Sequence, residues 1–256
     1  MPGRKGRIQL WDLGSGLELE KLRGYLEETF GGHGLACPPP TQLFPPERAV
    51  HFVKGLMPLR ITHPGRPNLA GRRYSRKELN AVARVLKGGA SAEDLKGASF
   101  SGIALQNSIG ARMGPDRFRD ISIVLTSVLP CTWERNEGRY HPRPLLCGYP
   151  SLLSTTGAVE GPAKPRGYHV ARMMGLSEDE ARRKYSGHFL VHDDPRLLEV
   201  AKGLAAQAVF YSLTGEPFCE RETCRLFNAQ WQEQLVKAQV EYGKICGSHF
   251  SRIRKG

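Results

Sequence analysis

One stretch limits the fold more than any other: residues 194–213, DPRLLEVAKGLAAQAVFYSL. Asp194 has the short oxygen-bearing side chain that caps a helix, and Pro195 has the fixed φ and missing N–H that suit the first helical position. Beyond them Leu197, Leu198, Val200, Leu204, Ala205, Ala208 and Val209 make the helix apolar over much of its surface. Such a helix has to be buried, so the remaining elements must surround it. Gly215 marks its stop.

Other segments supply those elements. RIQLWDL, Arg7 to Leu13, alternates as a strand does. The next segment places Leu19, Leu22, Leu26 and Phe30 on one helical face and stops at Gly31-Gly32. Five prolines in ACPPPTQLFPPER forbid a regular element there. Around His51 to Val53 a short strand is expected. Ser75 and Glu78 form a capping box for a helix through Leu86 that ends at Gly88-Gly89. Asp120–Leu129 reads as the strongest strand. Pro144–Ser154 reads as another, bent at Gly148 and Pro150, with a turn at Asn136 to Gly138 that could make the pair a hairpin. Residues 154–169 look like a Gly/Pro-punctuated loop or edge strand. Ser177 and Glu180 form a second capping box, and a final helix is expected from about Leu226 to Tyr242, with Trp231 and Leu235 on its stripe. The fold class implied is α+β or mixed α/β: a small central sheet packed with a long buried helix and a C-terminal helix. Residues 1–256 read as a single domain, with 55–100 as a basic subdomain or insertion and 215–256 as a zinc-binding C-terminal part.

Of the 256 residues, 40% are hydrophobic and 24% charged, which excludes a disordered chain, a collagen-like repeat and a disulfide-dense miniprotein. No run of apolar residues is long enough to span a bilayer, and the basic N-terminus lacks the apolar core of a secretory signal, so a cytoplasmic protein without a membrane partner is expected. The formal net charge is +12. Arg72, Arg73, Arg76 and Lys77 lie in the most basic region, as phosphate contacts of a nucleic-acid or ribonucleoprotein binding module would, or as a solvated face would. A protein assembly that uses Trp231, Tyr242 or the proline loop is a further reading.

Six cysteines in a chain of this length without an export signal suggest metal binding or burial rather than disulfides. Cys219 and Cys224 are spaced C-x4-C, and Cys246 and His249 are spaced C-x2-H, with a 21-residue spacer between the pairs. Thiolates and imidazole are the ligands zinc prefers, and four of them close a structural site. The spacer leaves two arrangements open: the pairs meet, or they sit at opposite ends of the last helix. Candidates for catalysis, around a second metal or an anionic substrate, are His141, Glu160, His188, His192 and Asp193. Ser154-Thr155-Thr156-Gly157 resembles a phosphate-holding turn but lacks the glycines and lysine of a P-loop, and the chain has no H-E-x-x-H.

The phrases GRYHPRPLLCGYPSLLSTTGAVEGPAKPR, HDDPRLLEVAKGLAAQAVFYSLTGEPFC and CRLFNAQWQEQLVKAQ resemble an archaeal family of unknown function that carries a metallopeptidase label. The label implies kinship with archaemetzincins, in which a long helix bears two histidines and a catalytic glutamate and leads to a cysteine-bearing tail. In this chain the long helix has no histidine and only Glu199 near its start, so the catalytic residues do not carry over. The resemblance carries over Cys219 and Cys224 as zinc ligands.

Overall fold

The computed structural model describes residues 6–43, 45, 49–66, 74–86 and 98–255, and their elements build a mixed α/β architecture. In chain order these are β1 (Ile8–Leu13), α1 (Leu19–Phe30), β2 (Leu35–Ala36), α2 (Ala49–Leu56), α3 (Arg76–Leu86), β3 (Ser99–Ser101) and α4 (Gly102–Met113). Then come β4 (Ile121–Thr126), β5 (Leu129–Glu134), β6 (Arg139–Pro142), β7 (Leu145–Leu146) and β8 (Ser151–Ser154). The remainder is helical: α5 (Thr155–Glu160), α6 (Arg166–Met173), α7 (Glu178–Lys184), α8 (Leu197–Thr214), α9 (Gln232–Val236, continued as a π-helix over Lys237–Tyr242) and α10 (Gly247–Lys255).

Five strands form one sheet in the order β2-β1-β4-β8-β7. All its pairings are parallel except that of the edge strand β7 with β8. A smaller sheet runs β3-β5-β6. Side chains alternate along a strand, so each central strand feeds both faces of the larger sheet. Ile8, Leu10, Ile121, Ile123, Leu125 and Leu153 meet α1 and α8 on one face. Trp11, Leu13, Val124 and Leu152 meet α2, α3 and α4 on the other. This double burial explains the nearly continuous apolar run ISIVLT of β4. The long helix α8 is buried along most of its length, from Val200 through Phe210, as its composition demands.

Several elements differ from the sequence expectation. The segment around His51 to Val53 is helical, because Phe52, Val53 and Leu56 point one way onto the sheet at helical spacing. The hairpin across the Asn136 turn joins β5 and β6, in the smaller sheet, while β4 pairs in parallel with β8. The bent stretch from Pro144 splits into β7 and β8, antiparallel to each other. Residues 154–169 hold α5 and the start of α6 rather than an extended edge. The last expected helix begins at Gln232, not Leu226, and α10 follows it. The helix expected to end at Gly88-Gly89 is seen as far as Leu86; those glycines, with Arg72 and Arg73, lie outside the described residues. Both capping boxes form: Glu78 Oε2 accepts the Ser75 N–H at 2.9 Å, and Glu180 Oε2 accepts the Ser177 N–H at 2.8 Å. Among the described residues no helix is long and apolar enough to cross a membrane.

Candidate metal centre

The chain after α8 is turned back by Gly215, whose φ of +80° is the left-handed conformation glycine accepts without a Cβ penalty. Cys219 then pairs with the segment ahead of it, its N–H donating to Leu226 O at 2.7 Å, and the Cys224 N–H closes a tight turn on Arg221 O at 3.0 Å. The spacer leaves Cys224 as an irregular loop and returns through α9. Gly243, at φ +57°, ends that helix, and the Arg225 N–H donates to Lys244 O at 2.9 Å. The two ends of the spacer are therefore side by side, and Cys246 arrives beside Cys224.

The four ligand atoms of Cys219, Cys224, Cys246 and His249 lie within 4.8 Å of one another. Cys219 Sγ is 4.0 Å from Cys246 Sγ, and Cys246 Sγ is 3.0 Å from His249 Nδ1. Metal–sulfur bonds of zinc length set tetrahedral S–S edges of about 3.8 Å. The sulfurs also accept backbone N–H groups: Arg221 to Cys219, and both Leu226 and Cys246 to Cys224, each at 3.4 Å. Such bonds stabilise negative charge on sulfur. Cys219 and Cys224 are buried and the other two half-buried, and the His249 ring stands edge-on to Phe210 of α8 at 5.2 Å between centroids.

The thiols differ in acidity. Burial pushes Cys224 up to about 12 despite its two N–H bonds. Burial also raises Cys246, but hydrogen bonds with Ser248 and His249 outweigh it and bring that thiol down to about 6. Thiols become metal ligands as thiolates, and a cation held among them would favour that form. The donor set fits a metal ion. Four protein donors fill a tetrahedral shell, so such a centre holds structure and leaves no position for a reacting water.

The other expected site residues do not gather into one constellation. His141 lies on β6, 3.0 Å from Glu137 Oε2 and hydrogen-bonded to Arg139. It borders a cavity of about 310 Å³ beside Gln207 of α8 and Phe218. His192 contacts Glu160 at 3.1 Å, a pairing across 32 residues that the sequence did not reveal. His192 and Asp193 line a different cavity, and His188 is exposed on the turn between α7 and α8. Arg76 and Lys77 are exposed on the first turn of α3. Asp194 was expected to cap the long helix. It instead lies one turn before α8, where it accepts from the Arg196 N–H at 3.0 Å. Glu199, the one acid on the long helix, is occupied by Lys202 and by the buried Arg225 at 2.7 Å. The turn at Ser154–Gly157 holds its own backbone: Ser154 Oγ accepts the Gly157 N–H at 2.8 Å and donates to Val128 O at 2.6 Å.

The fold and this cluster define a mixed α/β protein with a Cys3His centre able to bind a metal ion. The model of the probable metallopeptidase family DUF6775 matches residues 14–255, and the chain belongs to that family. No curated protein and no solved structure matches it.

Proposed function

We propose that this chain is a zinc protein of the archaemetzincin kind in which Cys219, Cys224, Cys246 and His249 hold one structural Zn2+ and the peptidase centre of the long helix has been lost. The observation that carries this reading is the approach of four ligand atoms to within 4.8 Å from two sequence-distant pairs. A mixed sheet with one antiparallel edge strand, followed by a buried helix and a cysteine-bearing tail, supports the kinship. The absence of histidine from Leu197–Thr214, and the engagement of Glu199 by Lys202 and Arg225, argue against a hydrolytic water on that helix. The bound ion would fix 215–256 onto α8. The sharing of β1, β4 and β8 between two cores supports a single domain in which the described residues of the 55–100 region, among them Met57, Val82 and Phe100, cover one face of the sheet.

Elemental analysis of the purified full chain tests the proposal. One zinc per chain is expected, and Cys224→Ala should lose the metal together with thermal stability. A folded protein that holds no metal, or a Cys224→Ala variant that keeps its zinc, would overturn it.

A further inference from the structure

The carboxyl ends of the adjacent parallel strands β1, β4 and β8 open into a cavity of about 330 Å³, at the low end of the range for small-molecule sites. Topology sets its place. After β1 the chain passes through α1 to β2 on one flank of that strand, whereas β4 and β8 lie on its other flank. The loops that leave β1 and β4 therefore diverge, and the crevice left at such a switch point is where open α/β sheets bind ligands.

The hydrogen-bond state of the lining determines what fits. Thr155 donates its hydroxyl proton to Ser15 O at 3.2 Å and Thr156 donates to Ser127 O at 2.7 Å, so neither has a proton left for a ligand and both offer lone pairs. Three N–H groups at or beside the cavity are engaged already: Ser15 by Asp12 at 2.8 Å, Leu17 by Ser15 Oγ at 3.3 Å and Arg196 by Asp194 at 3.0 Å. The nearby fixed cations are engaged too, Lys21 with Glu18 and Arg196 with Asp194. His192 is turned to Glu160. One charge is left over. Asp193 lines the cavity and is exposed, and its carboxylate has no hydrogen-bond or ion-pair partner among the described residues. Leu197 and Leu198 add an apolar wall.

We propose that this crevice binds a small primary alkylammonium compound, with its nitrogen on Asp193 and the two threonine hydroxyls and its hydrocarbon against Leu197 and Leu198. An ammonium group carries three donors, a positive charge and no acceptor, the complement of a lining rich in acceptors with one unneutralised carboxylate. A phosphate or carboxylate would meet lone pairs and Asp193 instead. The site is separate from the cysteine centre and does not depend on the zinc reading.

The test is titration of the full-length, metal-replete protein with n-butylammonium, followed through the amide NMR signals of Gly14, Gly16, Thr156 and Asp193, with butanoate, butanol and inorganic phosphate as matched probes. Saturable shifts with butylammonium alone are expected. Asp193→Asn should weaken binding about tenfold, the scale of one charge-assisted hydrogen bond. Asparagine tolerates the +61° φ of this position, so the variant keeps the loop. Asp179→Asn, an exposed charge loss on α7, should bind as wild type. The proposal is overturned if butanol shifts the same signals as strongly, if either anion binds in preference, if no probe shifts them, or if Asp179→Asn weakens binding as much as Asp193→Asn does.

Discussion

Asp194 shows how a single side chain joins local structure to the long helix. The sequence marks it as the cap of the long helix, but α8 starts three residues later, at Leu197, and the Asp194 carboxylate binds the Arg196 N–H and side chain instead. The Asp194 side chain is 5% exposed and its Oδ2 lies 2.7 Å from an Arg196 amino group. Arg196 in turn donates to the carbonyls of Gly187 and Phe189, which ties the α7–α8 connection down. Burial would raise the Asp194 pKa, but the Arg196 hydrogen bonds and charge hold it below the usual carboxylate range. A lowered folded-state pKa stabilises the protein above the unfolded value of about 3.9 and loses that contribution as pH falls through the folded one. Asp194→Asn is expected to cost about 2 kcal/mol at pH 7. The gap to wild type should narrow below about pH 4, where the unfolded chain takes up a proton that the native carboxylate still resists. Urea unfolding at pH 7 and pH 3 measures it, and an equal gap at both values would refute the role given to the charge.

Among the elements, those with strong local signals were legible. The alternation of β1, the stripe of Leu22, Leu26 and Phe30, the two capping boxes and the apolar α8 all stand where their patterns put them. The misread elements are those whose residues answer to a distant neighbour. Gly157 and Gly161 make 154–169 look like a loop, yet Gly157 sits inside α5, and the chain at Arg143 passes directly over it. A Cβ at Gly157 would strike the Arg143 carbonyl, a constraint no local pattern carries. Gly24 in α1 is the contrast, since a Cβ there meets nothing within 4 Å. Gly24→Ala should therefore stabilise the protein by up to about 1 kcal/mol, the usual helix gain. Gly157→Ala should destabilise it by about 2 kcal/mol, the scale of an overpacked interior. Thermal melts of the two variants give the signs, and stabilisation by both would mean that the passage at Arg143 yields easily.

For the whole molecule, the candidate centre was half legible. Ligand types and spacing pointed to four residues, but a spacer read as mostly helix left open whether the two pairs meet. They meet because α9 starts late, at Gln232, and Gly243 turns the chain at Lys244 back onto Arg225. Arg225 braces that closure from within: its side chain is 5% exposed, bonds Glu199 of α8 and lies 4.7 Å over the Tyr25 ring of α1. Apolar packing of Leu226, Leu235 and Val236 adds to this attachment of the C-terminal part, and Cys219 and Cys224 lie in the same core. The five-stranded sheet depends on neither attachment for its own pairing, since β1, β4 and β8 bond to one another. If the centre holds zinc, chelation should loosen the molecule unevenly. Hydrogen exchange after treatment with a strong chelator is expected to accelerate first at 219–226 and 243–255, next in α9, and last in β1 and β4. Packing would keep α9 docked for a time, because the burial of Leu235 and Val236 together contributes about 3–6 kcal/mol. Uniform acceleration would mean that the sheet and the tail unfold as one unit. Unchanged exchange at 219–226 would mean that N–H···S bonds and packing alone set the geometry of the four side chains, and the metal would then have no structural role to play there.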